Sequence, residues 1–329
     1  MASLALPVLA SDFTFSWLWL AEVLIAVAIY ATLAASLNLV TGFAGMFSLG
    51  HHGFFAVGAY AAGWFAATLA PPEAGSAGAI LVFVGSAAFA AVVAALAGVL
   101  VGLPCLRLRG DYLAIATLAF GEIVRIVIQN TPALGGSQSL SVPRLLMDPR
   151  GLAEVSTFRD LFLAIGVVML AITLVVIRNL IRSAHGRAIV SVREDEIASE
   201  LLGVHTAAYK MRAFTLGSAL AGLAGWFYAH YSGSIAPANF DLLIGIKILL
   251  IVVLGGLGSL SGSVVAALVL IGIERLLQTG VFGETLKEWM QVEYALVLIL
   301  LMLLRPRGIF GSRELSDLFR PRGARGAAR

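Results

Sequence analysis

Charge is scarce in this sequence. Only 12% of its 329 residues are Asp, Glu, Lys or Arg, while 60% are hydrophobic. A soluble domain carries about twice that charge and needs it to cover its surface. Cysteine is nearly absent too: the single Cys105 allows no disulfide within the chain, and no Cys/His cluster suggests a metal. The three lysines follow Tyr209, Ile246 and Leu286, so no GxxxxGK[ST] loop exists to cradle phosphates. HExxH and GxSxG are missing as well, which argues against a chain that hydrolyses nucleotide or cleaves bonds itself. The first 16 residues contain no Lys or Arg, which argues against a cleaved signal peptide.

What is present is apolar sequence, with a mean hydropathy of +0.95. About 20 apolar residues in a helix cross the hydrocarbon core. On that ruler nine spans are expected, at 17–40, 46–69, 78–102, 111–130, 160–177, 211–231, 240–255, 258–278 and 290–304. The fold class is therefore all-α, a polytopic transmembrane bundle of about 8–10 spans, read as a single transmembrane domain over 1–329. The fourth span carries Glu122 and Arg125, and only a glycine-rich turn separates the seventh and eighth. These three are candidates for broken or re-entrant helices.

The net charge of +3 and pI near 9.2 do not indicate nucleic acid, because the basic residues lie in loops. There they act as topology signals. The connection 178–212 holds Arg178, Arg182, Arg187, Arg193, Lys210 and Arg212; the tail 305–329 is rich in Arg; the loop after span three holds Arg107 and Arg109. Nine spans place all three on one side, the cytoplasm, and leave Arg144, Arg150, Arg159 and Lys287 opposite with the N-terminus. The tail is also suited to anionic membrane lipid.

The polar island His185–Phe214 interrupts this pattern. Ser191 followed by Glu194 reads as a capping box, and Gly203 as a helix stop. A short helix over 192–202 is expected, with Ile197 and Leu201 on one face and Arg193, Glu196 and Glu200 elsewhere around it. Thr206 then caps the next helix. Such a helix is either a solvated elbow or a knob for a soluble partner. The small-residue stretches Gly42–Gly63 and Val253–Gly262 are either tight packing or unwound backbone along a pathway. Gly45, Ser48, Gly50, His51, Gly255 and Gly256 belong to them, and Asp111, Tyr112, Glu122 and Lys247 are further pathway or gating candidates. A charge in a span must face protein or water. Glu122 and Arg125 can pair along one helix, whereas Lys247 has no acid at i±3 or i±4 and needs a partner from another helix or an aqueous path.

Four stretches together carry a resemblance: "SLNLVTGFAGMFSLGHHGFFAVGAYAAG" (Ser36–Gly63), "LRLRGDYLAIATLAFGEIVRIV" (Leu106–Val127), the "GRAIVSVREDEIASELLGV" and "YKMRAF" of the island, and "VVLGGLGSLSG" (Val252–Gly262). Over roughly residues 25–310 the chain resembles permease subunits of bacterial branched-chain amino acid ABC importers, of the LivM type. The resemblance implies a multi-pass protein of the bacterial inner membrane. It also implies a second, LivH-like permease, two cytoplasmic ATPase subunits carrying ATP and Mg²⁺, and a periplasmic substrate-binding protein. No cofactor is implied for this chain. Glu200 and Gly203 match the E-x-x-G of the family's coupling motif, which assigns Ser191, Arg193, Glu194, Glu196, Ile197, Glu200, Leu201 and Gly203 to ATPase coupling. The chain departs from the family at "LGGSQSL" (Leu134–Leu140), where relatives often have TGG-x-x-G, and its "GIK" (Gly245–Lys247) is more like the LivH type. The same family serves urea and short-chain amides, and a stand-alone secondary transporter is the remaining alternative.

Overall fold

Apolar runs in a lipid-like environment satisfy their backbone groups internally, so they fold as helices. The computed structural model describes residues 17–71, 76–108, 110–146 and 152–278, together with Leu296. In chain order the helices are α1 Trp17–Asn38, α2 His51–Leu69, α3 Ala77–Cys105, α4 Asp111–Gln129, α5 Leu152–Arg182, α6 Ala184–Glu194, α7 Glu196–Leu201, α8 Thr206–Ser232, α9 Leu242–Gly255 and α10 Leu260–Gln278. A π-turn, Leu39–Phe43, continues α1. Among the described residues, five stretches are long and apolar enough to cross a membrane: Trp19–Phe43, Ala77–Cys105, Val155–Arg182, Pro237–Gly255 and Leu260–Gln278. The first eight expected spans each contain one long helix. The ninth span apart from Leu296, the basic tail, Arg109, Arg150 and Lys287 lie outside the described residues.

α1 is the central pillar. In its apolar window 89% of residues are buried, against 28% for α3 and for α5. A helix apolar all round belongs inside a bundle, whereas α3 and α5 turn one face outward. Leu81, Val84, Val92, Leu96, Leu100 and Leu103 form the outward face of α3. Its inner face repeats Ser86, Ala90, Ala94, Gly98 and Gly102 at intervals of four, all buried, and packs on α8. There a Cβ on Gly222 would lie 2.3 Å from Ala94 Cβ. On the other side of α8, a Cβ on Gly58 of α2 would lie 2.2 Å from the Gly222 carbonyl oxygen. α8 is thus wedged between α2 and α3 in backbone contact, which only small residues permit.

The two ends of the bundle are distinct. At one end a two-residue antiparallel ribbon, β1 Leu140–Ser141 with β2 Ser234–Ile235, pairs Leu140 with Ile235 and Ser141 with Ser234. It covers Gly63 near the end of α2. At the same end of α1, Arg159 Nη2 pairs with Glu22 Oε1 at 2.7 Å, tying α1 to α5. At the other end lie α6 and α7.

Several boundaries differ from expectation. α5 begins at Leu152 rather than 160, and α8 at Thr206 rather than 211, because both helices extend into polar flanks beyond their apolar cores. The second span becomes helical only at His51: residues 44–50 are non-helical, and Gly45 holds φ +70°. The ribbon itself is too short for a strand pattern to announce it. Replacing Gly222 by Leu should overpack the α2–α8–α3 wedge and cost about 1–3 kcal/mol. In detergent-purified protein this is expected as a fall of several degrees in the thermal midpoint, whereas Leu96→Ala on the outward face should change it by much less.

Candidate functional site

The island is two helices, α6 Ala184–Glu194 and α7 Glu196–Leu201, separated by a break at Asp195, rather than one helix over 192–202. Ser183 caps α6 by accepting from the Gly186 amide at 3.2 Å. Ser191 is not a cap: it lies inside α6, and its hydroxyl donates to the Ala188 carbonyl at 2.9 Å. The break falls at Asp195, whose backbone is extended (φ −154°, ψ 110°) and whose carboxylate accepts from the Ala198 amide at 2.9 Å. An Asp is as good an N-cap as a Ser, and a break at Asp195 leaves Ser191, Val192 and Arg193 helical. Glu194 is therefore the last residue of α6 rather than a capping-box partner, and its carboxylate lies 3.5 Å from Arg193 Nε. The stop at Gly203 is present, with φ +84°, a conformation that glycine adopts without a Cβ clash. Thr206 does not cap α8; it is the first residue of that helix, with His205 before it.

α7 turns its acids inward. Glu196 accepts from Lys210 Nζ at 2.6 Å and Glu200 from the Thr206 hydroxyl at 2.7 Å, so two residues one turn apart brace α7 against the start of α8. The apolar face is left outside: Ile197, Leu201 and Leu202 are 67%, 83% and 85% exposed. Beside them a cleft of about 360 Å³ is lined by Glu200, Gly203, Val204, His205, Thr206 and Ala207. A short helix with its acids paired inward and its leucines outward is the reverse of a solvated elbow.

From the end of α6, Arg193 reaches back into the bundle. Its Nη1 donates to the Gly42 carbonyl in the π-turn at 2.6 Å. The stem of the side chain lies on Gly45, where a Cβ would come within 2.9 Å of Arg193 Cγ, and the guanidinium also approaches Gly258. Gly258 belongs to the turn between α9 and α10, in which Gly256 and Gly258 have φ of +106° and +86°.

A residue that the sequence pattern did not single out holds this turn. Asn38 is fully buried at the end of α1. Its amide donates to the Ser259 carbonyl at 2.9 Å, to Ser263 Oγ at 2.8 Å and to the Gly256 carbonyl at 3.4 Å. Its oxygen accepts from the Gly258 amide at 2.8 Å. The available signal was a lone amide in an otherwise apolar helix, one turn before a Gly-x-x-Gly. Gly255 packs on Gly262 so closely that neither accommodates a side chain without a shift.

The remaining candidates separate into three places. His51 and His52 open α2 and are buried. His51 Nε2 lies 2.7 Å from Ser36 Oγ; since Ser36 donates to the Leu33 carbonyl, the imidazole is the donor. Gly50 backs onto the Thr117 carbonyl of α4, the Leu49 amide donates to Thr117 Oγ1, and Ser48 is buried. Glu122 and Arg125 of α4 pair at 2.8 Å, and Glu122 Oε1 is 3.8 Å from His52 Nε2. Lys247 of α9 is paired with Glu274 of α10 and stands 4.4 Å from the centre of the Tyr30 ring. The partner from another helix is thus the one the structure supplies. Asp111 and Tyr112 are exposed at the start of α4 and are not brought to the other candidates. Among the described residues no group of three or more His, Cys, Asp or Glu could hold a metal.

Comparison with known proteins places this geometry. Residues 19–305 match the family described as branched-chain amino acid transport system / permease component. The chain is 36% identical over 302 residues to the high-affinity branched-chain amino acid transport system permease protein LivM of Escherichia coli, covering 85% of this chain and 67% of that protein. It is 29% identical to BraD of Pseudomonas aeruginosa over 88% of this chain and 94% of the relative. To LivH of Escherichia coli it is 28% identical over 88% and 93%. No solved structure matches the chain.

The Lys247–Glu274 pair yields a stability prediction. Both side chains are nearly buried, so removing one charge leaves the other uncompensated, at a cost of about 3–5 kcal/mol. Glu274→Gln should sharply reduce the monodisperse fraction of purified protein. The double variant Lys247→Met, Glu274→Leu should recover most of it in the same assay.

Proposed function

The chain belongs to the family of branched-chain amino acid transport permease components, and we propose that it works as the LivM-type subunit of an ATP-binding-cassette importer for branched-chain amino acids. It is a multi-pass membrane protein and a transport subunit. In this reading it sits in the bacterial inner membrane beside a second, LivH-like permease. Two cytoplasmic ATPase subunits bind ATP and Mg²⁺, and a periplasmic binding protein delivers substrate. The Lys- and Arg-rich island end faces the cytoplasm together with the C-terminus, and the N-terminus is periplasmic.

The observation that carries the reading is the outward apolar face of α7. Three large aliphatic side chains on a short, internally braced helix make a knob for a groove on a soluble partner. Within the subunit, α7 is fixed to α8 through Glu196 and Glu200, and α6 is fixed to the glycine turns through Arg193. Closure of the ATPase dimer displaces the knob. α8 carries the displacement along its length, while Arg193 delivers it to Gly42 and Gly45 and, through the adjoining turn, to Gly256 and Gly258. The broken helices then rearrange to alternate access.

Two variants separate these roles in the reconstituted complex. Leu201→Glu with Leu202→Glu removes the apolar face without touching the subunit's interior, and should weaken co-purification of the ATPase subunits about tenfold or more. Arg193→Ala should keep the ATPases bound but lower substrate taken up per ATP hydrolysed. Gly203→Pro should likewise insert correctly and uncouple hydrolysis from uptake. Normal uptake by a correctly inserted Gly203→Pro protein, or normal association of the double-Glu variant, would remove the basis of the reading.

A further inference from the structure

Glu122, Arg125 and His52 form a polar cluster that the coupling mechanism does not use. Glu122 lies about 16 Å along α4 from Asp111, well inside the span. The side chains of Glu122 and Arg125 are 27% and 30% exposed. Charges at such a depth do not face lipid, so the cluster opens to water or to protein. His52 supplies the informative detail. It is fully buried between Gly121 of α4 and Gly245 of α9, each too close to its ring to accept a Cβ. Its Nδ1 lies 3.2 Å from the Leu49 carbonyl, which only accepts, so Nδ1 carries the proton. Its Nε2 then presents a lone pair, and no hydrogen-bond partner reaches it. Glu122 Oε1 stands 3.8 Å from it, while the other carboxylate oxygen accepts from Arg125 Nε at 2.8 Å.

We infer that Glu122, His52 and Arg125 form a transient binding site for the zwitterionic head of an α-amino acid. The ammonium is held between Glu122 Oε1 and His52 Nε2, and the carboxylate lies on the Arg125 guanidinium. An ammonium supplies the N–H donor that His52 Nε2 lacks and a second one for Glu122 Oε1. A guanidinium offers the planar fork that a carboxylate accepts. Within the chain Glu122 and Arg125 satisfy each other, so a zwitterion exchanges one internal pair for two charge-assisted contacts. Ile115, Ala119 and Ile126, at i−7, i−3 and i+4 from Glu122, continue the same exposed face with aliphatic surface for a branched side chain. An uncharged amide or urea makes no use of the opposed charges, so the site favours amino acids within the substrate range of this fold. The inference rests on the reading of the chain as an amino acid permease subunit.

The test uses the complete complex in proteoliposomes, with radiolabelled leucine as the probe. ATP-dependent uptake by the wild-type complex checks the underlying reading by itself; without it, that reading fails whatever the variants do. Glu122→Gln and Arg125→Gln should each assemble with the other subunits and lower uptake about tenfold or more, the scale of one lost charge-assisted hydrogen bond. The charge exchange Glu122→Arg with Arg125→Glu is decisive. A purely structural ion pair is restored by the exchange, and uptake returns with assembly. A zwitterion site is inverted by it, so assembly returns without uptake. Unchanged uptake in both single variants, recovery of uptake in the exchange, or loss of the second permease from the single-variant complexes would each overturn the assignment.

Discussion

A backbone that leaves the helix inside a membrane must find new hydrogen-bond partners, and one amide supplies most of them here. Asn38 bonds to the Gly256 and Ser259 carbonyls, the Gly258 amide and the Ser263 hydroxyl. Without it, the turn between α9 and α10 would expose unpaired N–H and C=O groups in surroundings where each costs several kcal/mol. The conformation of that turn, with two residues at positive φ, is therefore a property of α1 as much as of its own sequence. The π-turn that follows Asn38 brings Gly42 against Gly258, where a side chain on Gly42 would collide with the Asn38 amide. Arg193 meets this pair of broken helices from the island side.

The arrangement distributes stiffness unevenly. α8 lies against α2 and α3 through backbone contacts at Gly58, Gly222 and Gly225, with polar anchors at one end: Trp226 Nε1 donates to the Phe83 carbonyl and Ser86 Oγ, and Ser86 also meets His230. Surfaces fitted this closely do not slide. The helical ladder is interrupted instead at residues 44–50 and 256–259. In the proposed mechanism these interruptions act as hinges beside a fitted wedge, an arrangement suited to alternation between packed states.

Much of this organisation was legible in the sequence, for identifiable reasons. Apolar runs near 20 residues placed a helix in each of the first eight expected spans, five of them in stretches long and apolar enough to cross a membrane. The glycines at 45, 50, 255 and 256 marked the backbone breaks. The i, i+3 pair of Glu122 and Arg125 was readable from spacing alone, because both ends lie on one helix. Lys247 showed the limit of that reasoning: its partner Glu274 is 27 residues away, on a helix whose packing no local pattern records. The island failed locally as well. Ser191 and Asp195 are both acceptable caps four residues apart, and the choice was settled by tertiary structure, since the break at Asp195 keeps Arg193 on the end of α6 within reach of the Gly42 carbonyl. The direction of the α7 face was hidden for a related reason. Periodicity shows that Ile197 and Leu201 share a side, but which side faces outward depends on Lys210 and Thr206 claiming the acids.

Arg193 occupies the one place where fitted and hinged parts meet from the island side. α7 and α8 are joined by charged and hydroxyl contacts and move as one piece with the wedge. α6 reaches the π-turn through the guanidinium–carbonyl bond of Arg193, whose stem also lies on Gly45. A load applied to the exposed leucines of α7 therefore has a stiff path, through α8 into α2 and α3, and a directed path, through Arg193 into the π-turn. If only the stiff path existed, the wedge would move as a body and the hinges would follow passively. In the proposed mechanism, displacement of the island relative to α1 acts along the second path on the Gly42 carbonyl, and the buried Asn38 network links the end of α1 to the α9–α10 turn. Such bonds are directional and costly to leave unmade, which gives a hinge of this kind two discrete settings instead of a continuum.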